Sequence, residues 1–158
     1  MPTITPNLWF DGNALEAAEF YCSVFPRSKV TSVTHYTEAG PGEPGSVLTV
    51  EWVLDGQKFV GINGGPDFAF TEAVSFEITC KDQDEIDHYW SKLGEGGHEI
   101  QCGWLKDRYG LSWQVVPEGM AELFSGDPDR AARAMTAMLG MVKIDAAAIQ
   151  AAADGVTV

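Results

Sequence analysis

Residues Gly103 to Pro117 read GWLKDRYGLSWQVVP. The run predicts a short strand, a tight turn at Arg108-Tyr109-Gly110, and a second strand of alternating character. Side chains on a strand alternate faces, so Leu111, Trp113 and Val115 share one face and Ser112, Gln114 and Val116 share the other. The first face is apolar enough to lie under a helix. The second places an amide, Gln114, in the middle of a hydrophobic strand, where it must find partners or look into a cavity.

Upstream, Val74 to Thr79 predicts a strand and Asp82, with Glu85 three residues on, a helix start. Ile86, Tyr89, Trp90 and Leu93 form that helix's apolar stripe, and Gly94 ends it. His98 to Cys102 predicts the strand that leads into the opening stretch. The first half has the same order. Ile4 to Phe10 predicts a strand, and Asn13 with Glu16 a capping box. Ala14, Ala17, Ala18, Tyr21, Cys22 and Phe25 fall on one helical face, and Pro26 stops the helix. Lys29 to Thr37 predicts a second strand. Glu38 to Gly45, EAGPGEPG, has the composition of a mobile loop. Ser46 to Leu54 and Gln57 to Asn63 are strands joined by Asp55-Gly56, a hairpin signal.

The halves also align by residue. A shift of 69 places Asn13 on Asp82, Glu16 on Glu85, Phe20 on Tyr89 and Tyr21 on Trp90. A shift of 68 places Leu8 and Phe10 on Phe76 and Ile78. An internal repeat decides the fold class: α+β, two βαβββ units at about residues 1–66 and 70–119, expected to form one domain over residues 1–119. Residues 126–155 depart from the repeat. Asp127-Pro128 starts one helix, with Met135, Met138 and Leu139 as its apolar face. Gly140 breaks it, and Asp145 caps a second, Ala-rich helix. This helical extension is expected to pack on the domain or on a second subunit.

Composition limits the partners. The chain has 158 residues, 45% hydrophobic and 11% aromatic, enough for a core. Its net charge of −13 argues against a nucleic-acid backbone or an anionic membrane surface. No run of about 18 apolar residues is present to cross a membrane. The start, MPTITPNLWFDG, lacks the pattern of a secretion signal, so the cytoplasm is the expected address. Cys22, Cys80 and Cys102 lack CxxC spacing, and buried free thiols are the default reading. GxSxG, HExxH and P-loop patterns are absent.

Two βαβββ units, with FDGNALEAAEFYCSVFP at the first helix and WLKDRYGLSWQVVP at the last strand, resemble the PhnB-like branch of the vicinal-oxygen-chelate superfamily. This superfamily comprises the glyoxalase, bleomycin-resistance and dioxygenase proteins. The tail DPDRAARAMTAMLGMVKIDAAAIQAA resembles the end of that branch, so the resemblance covers nearly the whole chain. It implies a cup-shaped mixed sheet, a ligand cavity and a homodimer. Members have often carried the name 3-demethylubiquinone-9 3-methyltransferase.

In catalytic members of the superfamily a divalent metal is held by His, Glu or Gln on the first and last strands of each unit. At those places this chain offers Asn7 and Trp9, then Ser75 and Glu77, then Gln114, with Asn63 at the end of the fourth strand. None of the three histidines stands at such a place. One carboxylate and a few amides make a weak site for metals that favour imidazole and carboxylate. The weak metal candidates are therefore Glu77 and Gln114. Asn7, Trp9, Asn63, Ser75, Glu77, Trp104 and Gln114 are read instead as candidates for binding an organic ligand. An aromatic wall with a carboxylate suits a flat or cationic compound.

Candidates for acid–base work are Glu77, His35 and Glu51. His35 lies on a Thr-rich strand, where a satisfied structural histidine is the commoner case. Glu51 shares a face with Val47, Thr49 and Val53, and would have a raised pKa only if that face pointed inward. Methyl transfer by a nucleotide-type fold needs a Gly-rich loop after a strand, opening a helix. The run Gly94-Glu95-Gly96-Gly97 follows a helix and precedes a strand, the reverse context. The leading expectation is a protein that binds a small organic ligand. The alternatives are a metal-dependent isomerase, lyase or oxygenase of the same fold, the methyltransferase of the family's name, or an interaction protein acting through its acidic surface and tail.

Overall fold

A computed structural model of the chain describes residues 1–156. It divides into two compact units, Met1–Phe70 and a second from Thr71 onward, close to the expected break between the repeats.

The first unit runs β1 (Asn7–Phe10), α1 (Ala14–Val24), β2 (Lys29–His35), β3 (Val47–Leu54) and β4 (Gln57–Asn63). Its sheet has the order β1-β4-β3-β2, with β1 parallel to β4 and the other pairs antiparallel. The apolar stripe of α1 (Ala14, Ala17, Ala18, Tyr21) and the inward set of the sheet (Leu8, Phe10, Val50, Trp52, Phe59) are all buried. Small residues let the helix sit close. A Cβ on Gly61 would come within 3.1 Å of Ala14 Cβ and 3.0 Å of the Trp52 ring. Trp52 stacks on Phe59, with centroids 5.7 Å apart and planes 10° apart. The β3–β4 turn has positive φ at both Asp55 and Gly56, as a twisted two-residue hairpin requires.

One expectation for this unit is corrected. Asn13 does precede α1, but its side chain makes no capping bond. The cap comes from across the sheet, where Asn63 Oδ1 accepts the Ala14 N–H at 2.9 Å. The segment EAGPGEPG lies in the loop between β2 and β3 and packs around Tyr36. Tyr36 N–H donates to Ser46 O and Gly45 N–H donates to Tyr36 O, both at 2.8 Å. The Tyr36 ring lies against Gly40 and Gly42, so close that a Cβ on Gly42 would overlap it. The missing side chains at Gly40 and Gly42 make room for this ring.

The second unit repeats the plan: β5 (Ser75–Cys80), α2 (Gln83–Gly94), β6 (His98–Glu99), β7 (Trp104–Lys106) and β8 (Ser112–Pro117). The order is β5-β8-β7-β6, with β5 parallel to β8. The equivalence of strands and helices, one by one, is the predicted internal repeat. Asp82 caps α2 by accepting the Glu85 N–H at 2.9 Å, and Glu85 accepts the Lys81 N–H in return. Ile86, Tyr89, Trp90 and Leu93 are buried, as are Leu105, Leu111, Trp113 and Val115 of the apolar sheet face.

The strand expected over His98–Cys102 stops at Glu99. Cys102 and Gly103 have positive φ, and their N–H groups donate to Met141 O and Val142 O, each at 2.9 Å. This stretch turns to meet the tail rather than extending the sheet.

Three helices follow: α3 (Met120–Ser125), α4 (Pro128–Leu139) and α5 (Ala146–Ala153). The first was not expected. Asp127 and Asp145 cap the other two as predicted, each accepting an N–H at 3.0 Å. Ala134, Ile144, Ile149 and Ala153 make a small core with Val116, Leu123 and Phe124 packed against it. The face of α4 was misjudged. Ala134 is buried and Met138 half-buried, while Met135 and Leu139 are exposed. Gln83 stitches the tail to α2, donating to Ile144 O at 2.9 Å and accepting from Ala146 N–H at 3.0 Å. Lys143 pairs with Asp87 at 2.8 Å.

Candidate functional site

The stretch Gly103–Pro117 organises the site through a residue that the sequence reading passed over. Asp107 is 2% exposed. Its Oδ1 accepts the N–H groups of Tyr109 (2.8 Å) and Leu111 (3.1 Å), and its Oδ2 accepts the Trp113 indole N–H at 2.9 Å. A buried carboxylate needs such donors. The three bonds hold the β7–β8 turn and aim Trp113 into the core. The alternation of β8 then sends Gln114 to the face that α2 does not cover.

Strand register builds the rest. Glu77 on β5 is the partner of Gln114, and Trp104 on β7 is its partner on the other side. Three chemically different side chains therefore stand in one row across the sheet, at the spacing of directly paired residues. Ser75 lies two residues from Glu77 on the same face, and its Oγ accepts from Gln114 Nε2 at 2.9 Å. Thr79, on the other side of Glu77, donates to its Oε1 at 3.5 Å. This row is the floor of a groove of about 910 Å³, open to solvent. Cys102 and Val116 extend the floor. Met120, Glu122 and Phe124 of α3 and Met138 of α4 form its wall, with Glu118 at the turn between them.

The sequence candidates thus separate. Ser75, Glu77, Trp104 and Gln114 come together. Asn7, Trp9 and Asn63 lie in the first unit. Trp9 donates its indole N–H to Gly65 O at 2.9 Å and meets Phe68 edge-on at 4.9 Å. Asn7 donates to Thr5 O at 3.1 Å. Asn63 is occupied structurally: besides capping α1 it donates to Val47 O at 3.1 Å, and its carbonyl accepts the Tyr36 hydroxyl. Glu51 stands on the face of its sheet opposite α1 and pairs with Lys58 at 3.0 Å. His35 is exposed at the end of β2, and His88 and His98 are exposed too.

Thiol chemistry has little support at two of the three cysteines. Burial, then the charges of Glu85 and Asp82, push the Cys80 thiol up to about 12. Burial and Glu19 raise that of Cys22. The third, Cys102, is the one that lines the groove.

The donor set does not fit the metal that the superfamily resemblance implies. Among the described residues, no three His, Cys, Asp or Glu side chains gather closely enough to hold an ion. Glu77 brings one carboxylate and Gln114 one amide oxygen, too few ligands for metals that favour imidazole and carboxylate. The glycine run also has a packing role: a Cβ on Gly97 would run into the backbone of Lys106 and Asp107.

The roof of the groove was missed because α3 is only six residues long. A signal was available. Met120, Leu123 and Phe124 follow Gly119 at helical spacing, and Gly119 has the positive φ (83°) of a left-handed start.

The repeated sheet-and-helix plan is that of the glyoxalase/bleomycin-resistance/dioxygenase fold. FosX, a fosfomycin resistance protein from Listeria monocytogenes, shares it at 12% identity, with a TM-score of 0.52 over 77% of this chain and 97% of that one. Protein PA1353 from Pseudomonas aeruginosa matches at 18% identity and TM-score 0.63, over 75% of this chain and 98% of that one. Residues 2–116 match the profile of the 3-demethylubiquinone-9 3-methyltransferase family, and the chain belongs to this PhnB-like family. A PhnB protein from Bacillus cereus, titled with the same methyltransferase name, is 38% identical, with a TM-score of 0.67 over 73% of this chain and 99% of that one. No curated protein matches the chain.

Proposed function

We propose that this PhnB-like protein binds a small organic ligand in the groove of its second unit. The carrying observation is the row Glu77–Gln114–Trp104, fixed by strand register, beneath a wall of Met120, Phe124 and Met138. The volume, about 910 Å³, lies within the range of drug-sized ligand sites. An apolar wall with a few polar groups in fixed positions is the usual composition of such sites. Gln114 is oriented by the bond from its nitrogen to Ser75, which leaves its carbonyl oxygen as an acceptor for a ligand.

A metal-dependent reading rests on the same Glu77 and Gln114, and elemental analysis of protein purified without chelator tests it. Methyl transfer gains no support from the glycine run Gly94–Gly97, which lies between a helix and a strand and whose Gly97 packs on the backbone of Lys106 and Asp107. The homodimer suggested by the resemblance is part of the proposal, and sedimentation equilibrium measures it.

The direct test is a thermal-shift screen over a broad panel of metabolites and drug-like compounds. At least one compound is expected to raise the melting temperature, and the shift should shrink in Trp104→Leu and Gln114→Ala. A panel in which every compound leaves the melting temperature unchanged contradicts the proposal.

A further inference from the structure

The same groove has a one-sided charge. Resting on the ligand-binding reading above, we infer that its ligands are organic cations with an apolar body: protonated or quaternary amines that carry an aromatic or branched aliphatic group.

The argument starts from what lines the groove. Three carboxylates do, Glu77 from the floor, Glu118 from the turn after β8 and Glu122 from α3, and no lysine, arginine or histidine is among the lining residues. Several other carboxylates of the unit have cationic partners: Glu72 with Lys106, Glu85 with Lys81, Asp87 with Lys143 and Asp154 with Arg130. The side chains of Glu77, Glu118 and Glu122 have no ion pair among the described residues. The cavity, not the acidity, makes the site. The acids set which charge it accepts.

The remaining lining chemistry suits the same class. Trp104 stands beside Gln114 on the floor, and an indole face attracts a cation best of all aromatic side chains. Phe124, Met120 and Met138 give an apolar, polarisable wall that adapts to a hydrocarbon body. An anion would meet three like charges with no cationic side chain among the lining residues, in a concave site that focuses their field. A neutral compound would use the wall but none of the carboxylates.

Isothermal titration with three probes of matched shape tests this: 4-phenylbutylammonium, 4-phenylbutan-1-ol and 4-phenylbutanoate. The ammonium compound is expected to bind about tenfold more tightly than the alcohol, and the carboxylate more weakly than both. Glu77→Gln, Glu118→Gln and Glu122→Gln combined should cut the ammonium-to-alcohol ratio severalfold, the remainder belonging to the Trp104 indole. Glu43→Gln, an exposed acid of the first unit, should leave the ratio unchanged and so controls for the overall negative charge. If the alcohol or the carboxylate binds as tightly as the ammonium compound, the charge inference is overturned while the groove remains a binding site. A cation preference that survives the triple variant undiminished also overturns it, because the preference then owes nothing to the carboxylates of the groove. No binding by any of the three at millimolar concentration overturns it too, and the groove itself is then judged by the compound panel.

Discussion

Replacing Asp107 by asparagine should destabilise the second unit through one identifiable donor. In the native turn, Oδ1 holds two backbone N–H groups and Oδ2 holds the Trp113 indole. Asparagine can keep the backbone pair with its carbonyl oxygen, but it turns an NH2 group toward the indole N–H. The Trp113 side is buried, with Trp113 and Leu111 each 3% exposed, so water does not readily replace the lost acceptor. A hydrogen bond to a charged acceptor contributes about 1.5–3 kcal/mol, and an orphaned buried donor costs about 1–3 kcal/mol. Asp107→Asn should therefore cost about 2 kcal/mol. Asp107→Ala also strands the Leu111 N–H and should cost about 4 kcal/mol, a large share of the roughly 5–15 kcal/mol that keeps a domain folded. Urea unfolding followed by tryptophan fluorescence and circular dichroism measures both. The decisive arm is a double-mutant cycle with Trp113→Phe, which removes the donor. Once the indole N–H is gone, Asp107→Asn should cost clearly less, giving a coupling of about 1–2 kcal/mol. Additive single changes, or an Asp107→Asn variant within about 0.5 kcal/mol of the native protein, would refute the view that this carboxylate holds the turn.

Asn63→Ala should cost about 1–2 kcal/mol through the lost cap of α1, seen as a lower urea midpoint, while leaving compound binding in the groove unchanged. Asn63→Asp, which retains the capping oxygen, should recover part of that loss. Acid should weaken the second unit. Hydrogen bonds from Lys106, Lys143 and Arg130 hold the carboxyls of Glu72, Asp87 and Asp154 below their usual range. A depressed folded pKa means that the unfolded chain binds more protons, so this stability is present at neutral pH and is lost as pH falls below about 4. Asp87→Asn should flatten the fall in melting temperature over that interval, and an unchanged slope would contradict the assignment. Cys80, with its thiol near 12, should resist iodoacetamide at pH 8 by about a thousandfold relative to an ordinary thiol and react only after unfolding, as peptide mass mapping would show.

Much of the fold was legible because the apolar pattern repeats. The stripe Ala14–Ala17–Ala18–Tyr21 and its counterpart Ile86–Tyr89–Trp90–Leu93 announce two helices of the same plan, and the strand alternation places Glu77 and Gln114 on one face. Register alone then made them neighbours. What was not legible depended on tertiary partners. Asn63 caps a helix 49 residues earlier in the chain, which local reading around Asn13 had no means to detect. Tyr36 packs against Gly40 and Gly42 of the loop that follows it, a contact that the Gly/Pro-rich composition did not announce. Asp107, just before the predicted turn, carried no signal in the local pattern, and only its burial reveals a carboxylate with three donors. The groove's wall depends on α3, too short to give a clear periodic signal, and on Met138, whose direction is set by how α4 packs.

The most direct measurement of the central claim is a two-dimensional 1H–15N NMR titration of the labelled protein with the strongest compound from the thermal-shift panel. Binding in the groove predicts saturable shifts concentrated at Glu77, Thr79, Trp104, Gln114 and the residues of α3, including the Trp104 indole N–H, with the β2–β3 pair of the first unit largely silent. Saturable shifts confined to other surfaces, with the Trp104 indole and Gln114 side-chain signals unmoved, would contradict the claim that this groove is the ligand site.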